Sequence, residues 1–195
     1  VELQPTDRLS MAIARAWRER ELAVGGPLRI EHTLIGLADD DHIDALLRLA
    51  GTTADAVRNS AHAALVSYET PSTGGPLEIA VEVVDAFSFA ARVALSCQEE
   101  VGADYLLLAV LRSQDGTVTR ILNGIGVDSR QVLKILKAEL WPKRSGDAAA
   151  ETTGVLLHQA GPVSYSQQSV ARFVEEALSG SSGDGVSAGS FPVRS

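Results

Sequence analysis

The chain has 195 residues, 45% of them hydrophobic and 22% charged, which is ordinary globular composition with room for one sizeable core or two small ones. A formal charge of -8 with no Lys/Arg cluster excludes nucleic acid and anionic membrane as main partners, because a phosphate surface needs a concentrated basic face. The lone Cys97 allows no internal disulfide and fits a reducing cytoplasm, and the longest uncharged apolar run, "YLLLAVL" (105–111), falls far short of a membrane helix. "VELQPTDR" has no signal-peptide pattern, so a cytoplasmic location is expected.

The first predicted element is a helix through "TDRLSMAIARAWRERELA", where Leu9, Ala12, Ile13, Ala16 and Trp17 recur at helical spacing between arginines and glutamates. Thr6 stands where an N-cap belongs, since its hydroxyl can accept from an orphan N–H of the first turn. After "VGGPL" a second helix reads "EHTLIGLA", a third reads "HIDALLRLAG" and stops at Gly51, and a fourth starts behind Thr53 and runs through "ADAVRNSAHAALVSY". "ETPSTGGP" (69–76) breaks the pattern and reads as a connector. The order then returns: a long helix through "EIAVEVVDAFSFAARVALSCQEE", a short one "DYLLLAVLRS", another "TVTRILNGIG", and a last one, "SRQVLKILKAELW", capped by Asp128.

Subtraction makes the recurrence explicit. Asp104 lies 73 residues after Glu31 and Gly126 lies 75 after Gly51, so the chain is an internal duplication with a two-residue insertion between its second and third helices. Leu34 answers Leu107, Leu47 answers Leu122 and Gly51 answers Gly126. No strand-like alternation of useful length occurs over 1–140, so the expected class is all-α: two tandem four-helix repeats packed with pseudo-two-fold symmetry, since one such unit buries little alone. The expected domain spans 1–141, with repeat one over 5–68 and repeat two over 77–141. Residues 142–195 read as linker and flexible Gly/Ser tail, with one short amphipathic helix near 167–178. That helix places Val170, Phe173, Val174, Ala177 and Leu178 on one face, docked on the core or waiting for a partner.

Several residues are candidates for chemistry. Glu31 and Asp104 open the second helix of each repeat, either as favourable first-turn charges on the helix dipole or as symmetric carboxylates offered to a cationic group. His32 is answered by Tyr105 in the duplicate, which suits a packed amphipathic ring and not a metal ligand. His42, His62 and His158 show no zinc spacing, so no metal is expected. "GVSAG" (185–189) matches a nucleophile elbow by accident, because no histidine follows Ser187. "DDDHID" (39–44) reads as a solvated loop and Trp17 as core. No G-x-x-x-x-G-K-[ST] segment is present to cradle nucleotide phosphates.

The stretch "TDRLSMAIARAWRERELAVGGPLRIEHTLIGL" resembles the first Clp N-terminal repeat, whose usual form is roughly F-T-x-R-A-x-x-V-L-x-L-A followed by I-G-T-E-H-L-L-L-G-L. "VGADYLLLAVL" and "TRILNGIGVD" are similar to the second repeat, and the resemblance covers about residues 5–140. It implies a non-enzymatic, cofactor-free binding module like that at the front of Clp-type AAA+ unfoldases, here expected to be stand-alone and to act as a regulator or a decoy. It implies a peptide or protein ligand, with phosphoarginine-marked chains, adaptors, Clp subunits and cyclic peptide antibiotics as candidates. The implied ligand-binding residues are Glu31 and Asp104, as acceptors of guanidinium groups, with Thr6 and Arg29 beside them. Here Ile30 and Ala103 replace the threonine before the acid, Asp104 and Tyr105 replace Glu-His, and Arg29 replaces a glycine, where it would either hold a phosphate or obstruct the pocket. The competing expectation is a degenerate helical repeat scaffold with an unrelated protein partner.

Overall fold

The computed structural model describes residues 6–22, 26–66, 78–113, 116–141 and 166–181. Repeat one forms α1 (Asp7–Leu22), α2 (Ile30–Ala38), α3 (Asp41–Leu49) and α4 (Ala54–Val66). Repeat two forms α5 (Val81–Cys97), α6 (Ala103–Leu111), α7 (Thr117–Gly124) and α8 (Ser129–Leu140), and α9 (Gln167–Ser181) follows. The fold is all-α; a short extended pairing joins Leu28 to Ile79 in a parallel bridge.

The duplication is visible in the backbone. Gly51 and Gly126 adopt φ of 86° and 77°, a left-handed turn that glycine enters without a Cβ penalty. In both repeats the same carbonyl closes that turn: Leu47 accepts from Thr52 N–H at 3.0 Å and Leu122 from Val127 N–H at 2.9 Å. The next helix then starts behind Thr53 or Asp128, each of which accepts a first-turn N–H. Leu34 and Leu107 are both buried, as are Val57 and Val132, and Ala61 and Leu136.

Contacts between the repeats are reciprocal. α1 touches α6 as α5 touches α2, α4 touches α7 as α8 touches α3, and α2 meets α6 where the two copies face each other. Within repeat one, α1 and α2 approach so closely that a Cβ on Gly36 would press into the Ala12 carbonyl oxygen and stand 2.8 Å from the Ala16 nitrogen. The equivalent position in repeat two is Ala109, so the α5–α6 pair accommodates the methyl group that α1–α2 excludes.

Three expectations need correction. The long helix read from Glu78 begins only at Val81, because Ile79 and Ala80 are drawn into backbone pairing with Leu28. It ends at Cys97, where Gln98 turns left-handed. The acidic run at 39–44 is structural instead of solvated loop: Asp39 pairs with Arg58, Asp40 is buried and caps α3 through the amides of His42 and Ile43, and Asp44 accepts from Ala54 N–H at 2.8 Å.

The late helix extends to Ser181, and of the two possibilities left by the sequence it is the docked one, packing on α1 and α5. The linker and Gly/Ser tail expected around it lie outside the described residues.

Candidate functional site

The residues singled out by sequence gather at two junctions, each joining the start of a long helix in one repeat to the start of a short helix in the other. At the first, Thr6 caps α1, its Oγ1 accepting from Leu9 N–H at 3.3 Å, while its own N–H donates to Val101 O at 3.2 Å. This brings the first turn of α1 against that of α6, and Arg8 uses the proximity. Its guanidinium donates to both Asp40 oxygens at 2.6 and 2.8 Å and reaches Asp104 Oδ2 at 3.1 Å. His42 Nε2 stands 3.6 Å from the other Asp104 oxygen.

The charges at this junction hold one another. Hydrogen bonding to Asp40 raises the Arg8 pKa further above its ordinary value, outweighing the opposing effect of burial. Burial also opposes ionisation of Asp40, but the Arg8 hydrogen bond together with the Ile43 and His42 amides outweighs it and keeps the carboxyl below its usual range. Asp104, read as an acceptor for a ligand's guanidinium, therefore already holds an internal one. Its side chain retains 19% exposure.

The second junction is built from the equivalent positions with different chemistry. Leu28 N–H donates to Glu78 O at 2.7 Å and Ala80 N–H to Leu28 O at 2.9 Å, joining the start of α2 to that of α5. Ala80 occupies the cap position that Thr6 fills in repeat one, so no hydroxyl stands there. Arg29 caps α2 by backbone, its N–H donating to His32 Nδ1 at 3.1 Å and its carbonyl accepting from Thr33 Oγ1 at 3.2 Å. Glu31 is 2% exposed, and its Oε1 has no hydrogen-bond partner among the described residues. A buried polar atom left in this way is uncommon in a folded chain; His32 Nε2 and Arg92 Nε share that state among the described residues.

Residues 4–125, both repeats but for the end of the second, match the sequence model of the Clp repeat (R) N-terminal domain. The chain belongs to the Clp repeat N-terminal domain family. Solved structures agree on the fold. It is similar to the Hsp104 N-terminal domain from Candida albicans, with TM-score 0.57 and 16% identity over 67% of this chain and 86% of that one. It is also similar to the N-terminal domain of the caseinolytic protease associated chaperone ClpD from Arabidopsis thaliana, with TM-score 0.56 and 16% identity over 69% and 93%. No curated protein matches the sequence significantly. Clp N-terminal domains are typically protein-interaction modules of Clp chaperones, and none of the described helices is long and apolar enough to cross a membrane.

Within this Clp repeat pair the two acids are thus unequal: Asp104 shares its junction with Thr6 and is engaged by Arg8, whereas Glu31 shares its own with Arg29 and keeps an oxygen with no partner among the described residues. Burial, reinforced by the charges of Arg29, Arg20 and His62, pushes the His32 pKa down to about 4, so the ring is neutral at pH 7. Because Nδ1 accepts from Arg29, the proton sits on Nε2. Tyr105 fills the equivalent place and donates to Glu99 at 2.5 Å. Both rings serve packing, as does Trp17, whose Nε1 donates to Glu21 at 3.0 Å beneath the Arg20 guanidinium. Sequence reasoning missed Arg8 and Asp40. The signal for Arg8 was its place two residues after the cap Thr6, one turn from the opposing helix start; Asp40 was hidden in a run of three aspartates.

Proposed function

We propose that the chain is a non-enzymatic, cytoplasmic binding module of the Clp N-terminal type, which receives peptide or adaptor segments and regulates a Clp unfoldase or acts as its decoy. The binding unit is the double repeat over residues 1–141. The observation that carries this reading is the family match across both repeats, supported by a fold that spans 86% and 93% of two chaperone N-terminal domains. In this reading Glu31 is the acceptor for a guanidinium, and the neighbouring Arg29 either holds a phosphate on the same ligand or obstructs the pocket. Asp104 becomes available only when Arg8 lets go of it. A phosphoarginine-marked chain or a guanidinium-bearing peptide suits this pairing; Clp subunits and cyclic peptide antibiotics would engage outer surfaces of the same module.

The test is a reconstituted Clp unfoldase–protease degrading a fluorescent substrate, with the full chain titrated in. A dose-dependent change in degradation rate supports a regulator or decoy. An unchanged rate at several-fold molar excess, with both adaptor-dependent and adaptor-independent substrates, would overturn it and favour the scaffold for an unrelated partner.

A further inference from the structure

α9 lies beyond the segment matched to the family, yet it closes part of the core. It packs on α1 of repeat one and α5 of repeat two, the two equivalent long helices, so a single helix straddles both copies. Its seats are few and regularly spaced. Val170, Val174 and Ala177 are buried, at i, i+4 and i+7, while Phe173 packs edge-on against Phe87 of α5 with ring centroids 5.3 Å apart. At its start, Gln167 Nε2 donates to Ile79 O at 2.9 Å, the carbonyl beside the bridge to Leu28. Its outward residues, Arg172, Glu175 and Glu176, are exposed, and Arg172 pairs with Glu176 within the helix.

This is the geometry of a helix laid in an apolar groove and read through anchors one turn apart. A helix of this length is marginal alone in water, so its order depends on the docking. It is also joined to α8 only through residues 142–165, a length that permits release without disturbing the repeats.

We infer that the α1–α5 face is a helix-receiving groove, and that α9 is its tethered occupant, exchanged for an amphipathic helix of a protein partner with apolar anchors at i, i+3, i+4 and i+7. Such a partner meets Phe87 with an aromatic or branched residue, and its helix carries a polar donor one turn before the first anchor, as Gln167 does. While α9 is docked, the groove is competent for only the fraction of time α9 is away, and partner affinity falls by that fraction.

The experiment uses the full chain and a fluorescein-labelled synthetic peptide of residues 166–181, followed by fluorescence anisotropy. Val174→Asp places a charge at a closed seat and releases α9; this variant is expected to bind the peptide about tenfold or more tightly than wild type. Adding Phe87→Ala to Val174→Asp should weaken that binding again. If Val174→Asp melts cooperatively near the wild-type temperature and binds the peptide no better than a Val174→Asp control peptide, the groove assignment is wrong. If that variant does not fold, hydrogen exchange on wild type decides. Amides of 167–181 exchanging well before those of α1 and α5 support exchangeable docking, and simultaneous exchange overturns it. A wild-type dimer that Val174→Asp dissolves would assign the groove to a second copy and overturn the partner assignment.

Discussion

Gly36→Ala sets two effects of opposite sign against each other. Alanine is favoured over glycine in a helix interior by roughly 0.8–1.0 kcal/mol, so propensity alone predicts a more stable protein. The α1–α2 contact predicts the reverse. The new Cβ would press into the Ala12 carbonyl oxygen, 2.8 Å from the Ala16 nitrogen and 3.0 Å from the Ala16 Cβ. Two of these three neighbours are backbone atoms, which no rotamer change can move aside, so α1 itself must shift away from α2.

Overpacking of this kind costs about 1–3 kcal/mol, and backbone opposition places the cost near the upper end. The net loss is about 2 kcal/mol after the propensity gain, and for a chain of this size that lowers Tm by roughly 4–8 °C. Thermal melting followed by circular dichroism reads it directly. Ala109→Gly at the equivalent position is the control: it removes a buried methyl and adds a helix glycine, so it too should lower Tm. A Gly36→Ala protein that melts at or above wild type would refute the close approach of α1 and α2.

Leu34→Ala and Leu107→Ala should each cost about 2–5 kcal/mol in chemical denaturation, because both side chains are buried at equivalent places in the duplicated core; an unaffected variant would mean the register between repeats is wrong. His32 should make stability pH-dependent. Its folded pKa of about 4 lies below the ordinary 6.5, so the unfolded chain binds the proton more readily. The contribution is complete above pH 6.5 and is lost as pH falls from there toward 4. His32→Gln keeps an acceptor for Arg29 N–H and removes the titration, so its stability should decline less over that window; parallel pH profiles would contradict the buried neutral ring.

Legibility in the sequence followed the range of the forces involved. Apolar spacing within a helix, glycine stops such as Gly51 and Gly126, and caps such as Thr6 and Asp128 act over a few residues, and the pattern shows them directly. Repetition of that pattern then gave the symmetry of packing, since like faces bury like neighbours. What stayed hidden depends on residues distant in sequence. The start of α5 was misplaced because Leu28, about fifty residues earlier, competes for the backbone of Ile79 and Ala80. Asp104 looked like the twin of Glu31 because both open a short helix. The difference comes from Arg8, whose partners lie 32 and 96 residues away. The apolar face of α9 was evident, but its seat on α1 and α5 was not, since nothing local to 167–181 names the surface it covers.

The central proposal, a ligand-receiving Clp repeat module whose unengaged acid is the buried Glu31, is tested most directly by calorimetric titration of a phosphoarginine peptide into wild type, Glu31→Ala and Asp104→Ala, with the unphosphorylated peptide as control. A charge-assisted contact of about 1.5–3 kcal/mol corresponds to roughly a tenfold to 150-fold change in affinity. The account predicts that Glu31→Ala weakens binding within that range, whereas Asp104→Ala changes it little because Arg8 already engages that carboxylate. Absence of binding by wild type at millimolar peptide, or a loss on Asp104→Ala equal to that on Glu31→Ala, would contradict it.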